Sequence, residues 1–184
     1  MDVVETSIPE VLIIEPKVYG DSRGFFLEAF RADRYAASRL PAAFVQDNIS
    51  RSVQGVLRGL HLQNPKSQGK LVSVLRGRVL DVAIDVRRGS PTFGKHVTVE
   101  LSDENRRQFW IPRGFAHGFL VLSESADVFY KCDEYYSPAD EITIRWNDQA
   151  IGIQWGIDTP QLSPRDASAP LLADVKGLPV YGKT

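Results

Sequence analysis

Apolar and polar positions alternate along most of this chain at a period of two, the period of a strand that buries one face. The pattern is clearest over residues 79–86, where Leu80, Val82, Ile84 and Val86 alternate with Val79, Asp81, Ala83 and Asp85. One face is wholly apolar and the other carries two acids. Arg76-Gly77 separates this strand from the one before it, and Gly89-Ser-Pro91 ends it. Further strands are predicted at 11–16, 25–30, 44–52, 56–62, 95–101, 107–111, 116–123, 128–136 and 141–146, with another opening at Lys70. Glycines and an aspartate mark a turn over residues 19–24. The alanine-rich stretch 31–40, stopping before Pro41, is the one helix predicted. The strand at 44–52 is unusually polar. It lines a site or a subunit contact, or it lies exposed at a sheet edge. Many short strands at near-regular spacing with Gly/Pro turns predict a mainly β sandwich or barrel, here a closed jelly roll. The tail after Trp155 is rich in Pro, Ser and Asp and is expected to be irregular, packing over the barrel from about residue 156.

Composition narrows the class without changing that picture. The 184 residues suffice for one domain with a proper core, and a 43% hydrophobic fraction places the chain among globular proteins. A formal charge of −1 with interspersed acids and bases gives no surface for nucleic acid or an anionic membrane. The single cysteine, Cys132, allows no internal disulfide and fits a reduced compartment. The first residues lack the basic start and apolar core of a signal peptide, and no apolar run approaches the roughly 20 residues of a membrane span. The expectation is a cytoplasmic protein.

The candidate chemistry gathers in residues 55–70. His61 sits in an apolar strand with Arg58, and the following loop leads to Lys70. An imidazole can take a proton near neutrality, and a fixed cation can hold the negative charge left behind. Together they suit carbanion chemistry beside a carbonyl. Taken alone, the same residues read as a core histidine beside surface charges. A metal site is the competing chemistry. Yet His61, His96 and His117, the three histidines, never form a His-x-His pair, and a 2-His-1-carboxylate site from His61 and His117 has no further support.

With these residues in view the chain resembles the dTDP-4-dehydrorhamnose 3,5-epimerase family, sugar-nucleotide epimerases with a cupin-like jelly roll. The resemblance rests on DSRGFFLEAF at 21–30, QDNIS at 46–50, GVLRGLHLQ at 55–63, QGK at 68–70 and GRVLDVAIDVR at 77–87. It continues through GSPTFG at 89–94, FWIPRGFAHGFLVL at 109–122, YKCDEYY at 130–136 and LSPRD at 162–166. No segment is diagnostic alone, but their ordered conjunction covers almost the whole chain. Leu62 is a departure, standing where the family often carries an aromatic.

The resemblance implies a dTDP-linked 4-keto-6-deoxy sugar as substrate, inverted at C3 and C5 through an enolate with no cofactor and no metal. It makes His61 the base, Asp166 the partner that fixes its tautomer, Lys70 the group at the C4 oxygen and Tyr130 the acid. A lysine near Tyr130 would make its anion more accessible. Arg23, Arg58 and Arg165 match substrate contacts suited to a diphosphate. Tyr136 matches the aromatic that stacks on thymine, and Glu28, Gln46, Asn48, His117 and Glu141 match further binding positions. The Arg23–Glu28 segment would cross into a neighbouring subunit's pocket, implying a homodimer with shared sites. Two other readings stand beside this one. One is a single-centre epimerase acting on C3 or C5 only; the other is a non-catalytic sugar-nucleotide module, which should lack one of the four catalytic groups.

Overall fold

The computed structural model describes residues 1–183. In chain order the strands are β1 (Asp2–Glu5), β2 (Leu12–Glu15), β3 (Val18–Asp21), β4 (Gly24–Leu27), β5 (Gln46–Val53), β6 (Leu57–Gln63) and β7 (Lys70–Arg76). They continue with β8 (Arg78–Asp85), β9 (His96–Ser102), β10 (Gln108–Ile111), β11 (Phe115–Val121), β12 (Ser125–Cys132) and β13 (Glu141–Thr143). Two short helices join them, α1 (Ala32–Ala36) and α2 (Pro164–Ala167).

The strands form a six-stranded sheet in the order β1-β2-β10-β7-β12-β5 and a five-stranded sheet in the order β13-β6-β11-β8-β9. The two pack face to face as the predicted jelly roll. Neighbouring strands run antiparallel throughout both sheets, so each strand's period-two pattern sends alternate residues inward. Between the sheets lie Val72, Val74, Val79, Ala83, Phe109, Phe119 and Val128, all buried. The mixed face of β8 looks into this interior, so Asp81 and Asp85 are fully buried. Its wholly apolar face, Val82 and Ile84, looks outward and is covered by the tail through Trp155, Leu172, Val175 and Leu178. A third apolar cluster of Leu12, Ile14, Leu71 and Trp110 on the outer face of the larger sheet is capped by Tyr35 and Leu40.

Several elements are shorter than their sequence signal. The helix predicted over 31–40 keeps only Ala32–Ala36. Arg39 adopts φ 68, the left-handed turn that ends helices, and so lets Leu40 fold back into the third cluster. The aromatic strand stops at Leu27, and the strands expected to reach Tyr136 and Trp146 stop at Cys132 and Thr143. Beyond those points the backbone turns toward side-chain partners, as where Tyr136 N–H donates to Gln46 Oε1. The tail is largely irregular, as expected, apart from α2 and a single 3₁₀ turn at Leu172–Asp174.

Candidate active site

β6 carries His61 inward, and its register brings three side chains into one row. His61 lies opposite His117 of β11 and opposite Thr143 of β13. The row depends on two glycines. A side chain on Gly59 would stand 2.6 Å from the Gly118 Cα, and one on Gly118 would stand 2.9 Å from the Arg58 carbonyl oxygen. The strands therefore meet closely at a shift in register between His117 and Phe119.

The tail delivers the partner of His61. A parallel bridge joins Val56 to Gln161, and Leu57 N–H donates to the Gln161 carbonyl at 3.0 Å, which lays the tail beside β6. Ser163 then caps α2 with Pro164 following it, and Asp166 falls in the first turn. Its carboxylate, 3% exposed, lies 2.6 Å from His61 Nε2. Burial pushes the Asp166 carboxyl up. The hydrogen bond and charge of His61, aided by Gly59 N–H, outweigh it and hold the carboxyl below its ordinary range. A carboxylate can only accept, so the hydrogen between the two groups sits on Nε2. In the neutral ring the lone pair is then on Nδ1.

Two joined lobes form the cavity, of about 460 and 350 Å³, and His61, Lys70 and Tyr130 line both. Lys70 opens β7 opposite Cys132 and Ile111. Burial pushes its ammonium below the ordinary lysine value, and Cys132, Glu141 and Asp81 oppose that through charge alone. Tyr130 projects from β12 beside Asn48. The expectation that a lysine would make its anion accessible is reversed: burial dominates and pushes the phenol up, and the cation that opposes this is Arg58.

The larger lobe also holds Arg58, His117 and Phe119. Arg58 donates from Nε to Ser52 Oγ at 3.0 Å, and among the described residues its terminal nitrogens have no hydrogen-bond partner. The smaller lobe holds Gln46, Asn48, Tyr136 and Glu141. Glu141 accepts from the Tyr136 hydroxyl and from Arg165. Burial raises the Glu141 carboxyl, but those two bonds bring it below its usual range, while the Glu141 bond raises the Tyr136 phenol. Arg165 does not line the cavity itself and reaches it through Glu141.

Arg23 and Glu28 are not brought to this cavity within the chain. Arg23 pairs with Asp21, and Glu28 with Arg34, all near the β3–β4 hairpin. His96 stands on β9 at the far edge of the smaller sheet. Among the described residues no three His, Cys, Asp or Glu side chains gather as a metal site.

The family model described as dTDP-4-dehydrorhamnose 3,5-epimerase matches residues 5–174. The chain belongs to the dTDP-4-dehydrorhamnose 3,5-epimerase family. It is 55% identical over 175 residues to the enzyme of that name from Salmonella typhimurium, covering 94% of this chain and 96% of that one. A crystal structure of a dTDP-6-deoxy-D-glucose-3,5-epimerase from Legionella pneumophila, in complex with dTDP-4-keto-L-rhamnose, superposes with a TM-score of 0.95. It is 56% identical and covers 98% of each chain. The 3'-monoepimerase ChmJ from Streptomyces bikiniensis, in complex with dTDP-quinovose, is 35% identical with a TM-score of 0.91, covering 97% of this chain and 93% of that one.

Sequence reasoning missed one feature of this epimerase-family site. Asp81, fully buried, accepts from His117 Nε2 at 2.9 and 3.1 Å, making a second His–Asp pair in the row with the first. Its signal was an acid inside the alternation of β8, on the face that turns into the barrel.

Proposed function

We propose that this protein is an isomerase that inverts C3 and C5 of dTDP-4-dehydro-6-deoxy-D-glucose to give dTDP-4-dehydro-L-rhamnose, with no cofactor. The C4 ketone acidifies both neighbouring carbons, so each centre can invert through an enolate. His61 Nδ1 takes the proton, and Asp166 holds the ring and the imidazolium that forms. Lys70 holds the charge that develops on the C4 oxygen. Tyr130 delivers a proton to the opposite face, a role suited to a phenol that burial keeps protonated. The observation that carries the reading is the His61–Asp166 pair at 2.6 Å, opening on one cavity with Lys70 and Tyr130. The presence of all four groups argues against a non-catalytic module.

Arg58, with free terminal nitrogens, suits the diphosphate, and His117 the sugar. Tyr136 would stack on thymine, braced by Glu141 and Arg165, with Gln46 and Asn48 beside it. Arg23 and Glu28 would serve the partner's cavity in a homodimer. Supporting this, the β3–β4 hairpin pairs only with itself and exposes Phe25 and Phe26, while Ile49 and Leu75 are exposed on the larger sheet. The chain would act as one domain in the cytoplasm. Among the described residues no helix is long and apolar enough to cross a membrane.

The likeness to a 3'-monoepimerase keeps a single-centre reaction as the second reading. NMR of the 4-keto sugar nucleotide incubated with the protein in deuterated water separates the two. Label at both C3 and C5 with L-rhamno product supports the double inversion, label at one carbon supports the second reading, and no label overturns both.

A further inference from the structure

β5 turns four polar side chains inward, Gln46, Asn48, Ser50 and Ser52, the first three of which line the cavity, while Asp47, Ile49, Arg51 and Val53 face out. Three of the four have partners within the chain. Gln46 donates to Asn48 Oδ1 at 3.0 Å, Asn48 donates to Cys132 Sγ at 3.7 Å, and Ser52 Oγ accepts from Arg58. Ser50 does not. Its hydroxyl oxygen is shielded and, among the described residues, has no hydrogen-bond partner. The neighbouring strands supply none, because Ser50 lies opposite Val128, which in turn lies opposite Val74. A buried hydroxyl without a partner destabilises the fold, and native chains keep few of them. Ser50 nevertheless lines the lobe that holds Arg58, His117 and Asp166, and not the lobe of Tyr136 and Glu141, while His61, Lys70 and Tyr130 line both.

We propose that Ser50 is a substrate-contacting residue whose hydroxyl bonds an oxygen of the hexose at the inner end of the cavity. The inference rests on reading the cavity as the sugar-nucleotide site. The hexose is favoured over the thymine because Ser50 shares its lobe with His117, placed on the sugar, and with Asp166, which holds the proposed base, and not with Tyr136. Bound sugar then supplies the partner that the fold withholds, so the free protein carries a stability cost that ligand relieves.

Ser50→Ala tests this, because it removes only the hydroxyl. The thermal midpoint of the free variant should equal or exceed that of the unsubstituted protein. KM for the keto sugar nucleotide should rise about three- to tenfold, the worth of one hydrogen bond, with a smaller change in kcat. The Kd of dTDP-glucose, which lacks the ketone and cannot react, should rise by a similar factor, and the Kd of dTDP alone should not. A lowered midpoint would mean the hydroxyl is already satisfied in the free protein, which overturns the proposal. So would an unchanged KM, or an equal loss with dTDP alone, which would move the contact to the nucleotide. An unsubstituted protein inert toward the keto sugar would sink the functional reading itself. The comparison of dTDP-glucose with dTDP would then still decide whether Ser50 meets a sugar.

Discussion

A neutral imidazole takes a proton through whichever nitrogen its neighbours leave free, and at His61 that is Nδ1, since Nε2 faces Asp166. Inversion then needs a second group on the other face of the ring, which makes Tyr130→Phe informative. Without the phenol hydroxyl the enolate still forms, and His61 can return a solvent-derived proton to the original face. The variant should wash deuterium into unreacted substrate while making far less inverted product. If exchange and inversion fall together, the acid role belongs elsewhere. Lys70 makes a pH prediction. Burial lowers its pKa from the ordinary 10.5, while Tyr130 is raised above its ordinary 10.0. The first alkaline loss of kcat should therefore come from Lys70, below the usual lysine range, and the same limb should persist in the exchange rate of Tyr130→Phe. Because the unfolded chain binds this proton more readily, stability rises with pH between the folded and unfolded pKa values. Lys70→Met should thus raise the thermal midpoint near neutral pH while slowing proton abstraction about 10²- to 10³-fold, the scale of a lost oxyanion donor. A loss confined to KM would reassign Lys70 to ground-state binding. His61, Lys70 and Tyr130 were legible because a motif named them. Asp81 and Ser50 were not, since an acid or hydroxyl in an alternating strand says nothing of its partner until the opposite strand is known.

At the level of elements, the site is held by the β6–β11 pair and by the tail that runs beside β6. Gly118→Ala would press a methyl to 2.8 Å from Leu60 Cδ2 and 2.9 Å from the Arg58 carbonyl oxygen. The side chain can move but the backbone cannot cheaply do so. The strands should part, at a cost of about 1–3 kcal/mol. His61 and His117 ride on those strands, so kcat should fall more than the folded fraction explains, by as much as about 10²-fold for an ångström of displacement. Denaturant titration beside kcat at saturating substrate checks both, and full activity in a destabilised variant would show that the close approach serves the fold alone. The elements themselves were largely legible, because period-two alternation marks a strand wherever one face is buried. Their ends were not. Alanine content argued for ten residues of helix, but only Tyr35 of α1 is buried, and Arg39 turns the chain back to bury Leu40 instead. β1 escaped notice because Asp2 and Glu5 flank only two valines; its pairing with β2 makes it a strand, and pairing is not local.

The whole molecule has an asymmetry that one chain does not resolve. Its cavity collects the proposed base, acid and cations, whereas Arg23 lies on an exposed hairpin, paired with Asp21, and Glu28 lies just past it, paired with Arg34. The motif that carries these two residues implied a neighbouring subunit's pocket, and the geometry proposed to join them to a cavity is intermolecular. If the hairpin completes the partner's cavity, an Arg23→Ala chain retains its own base and spoils its partner's binding, while a His61→Ala chain does the reverse. Each homodimer should then be strongly impaired. In a mixed dimer the lesions sort unequally: the cavity of the His61→Ala chain also receives the Arg23→Ala hairpin and is doubly damaged. The other cavity has an intact base and receives an intact hairpin. Mixing the two proteins under subunit exchange should therefore restore activity, up to one working cavity in each mixed dimer. Half of the dimers are mixed at equal input and random pairing, so recovery should approach about a quarter of the unsubstituted activity per chain. Native mass spectrometry would count the mixed dimers. Their presence without recovered activity would mean that each cavity is built from a single chain, and the exposed aromatics of the hairpin would then serve another contact.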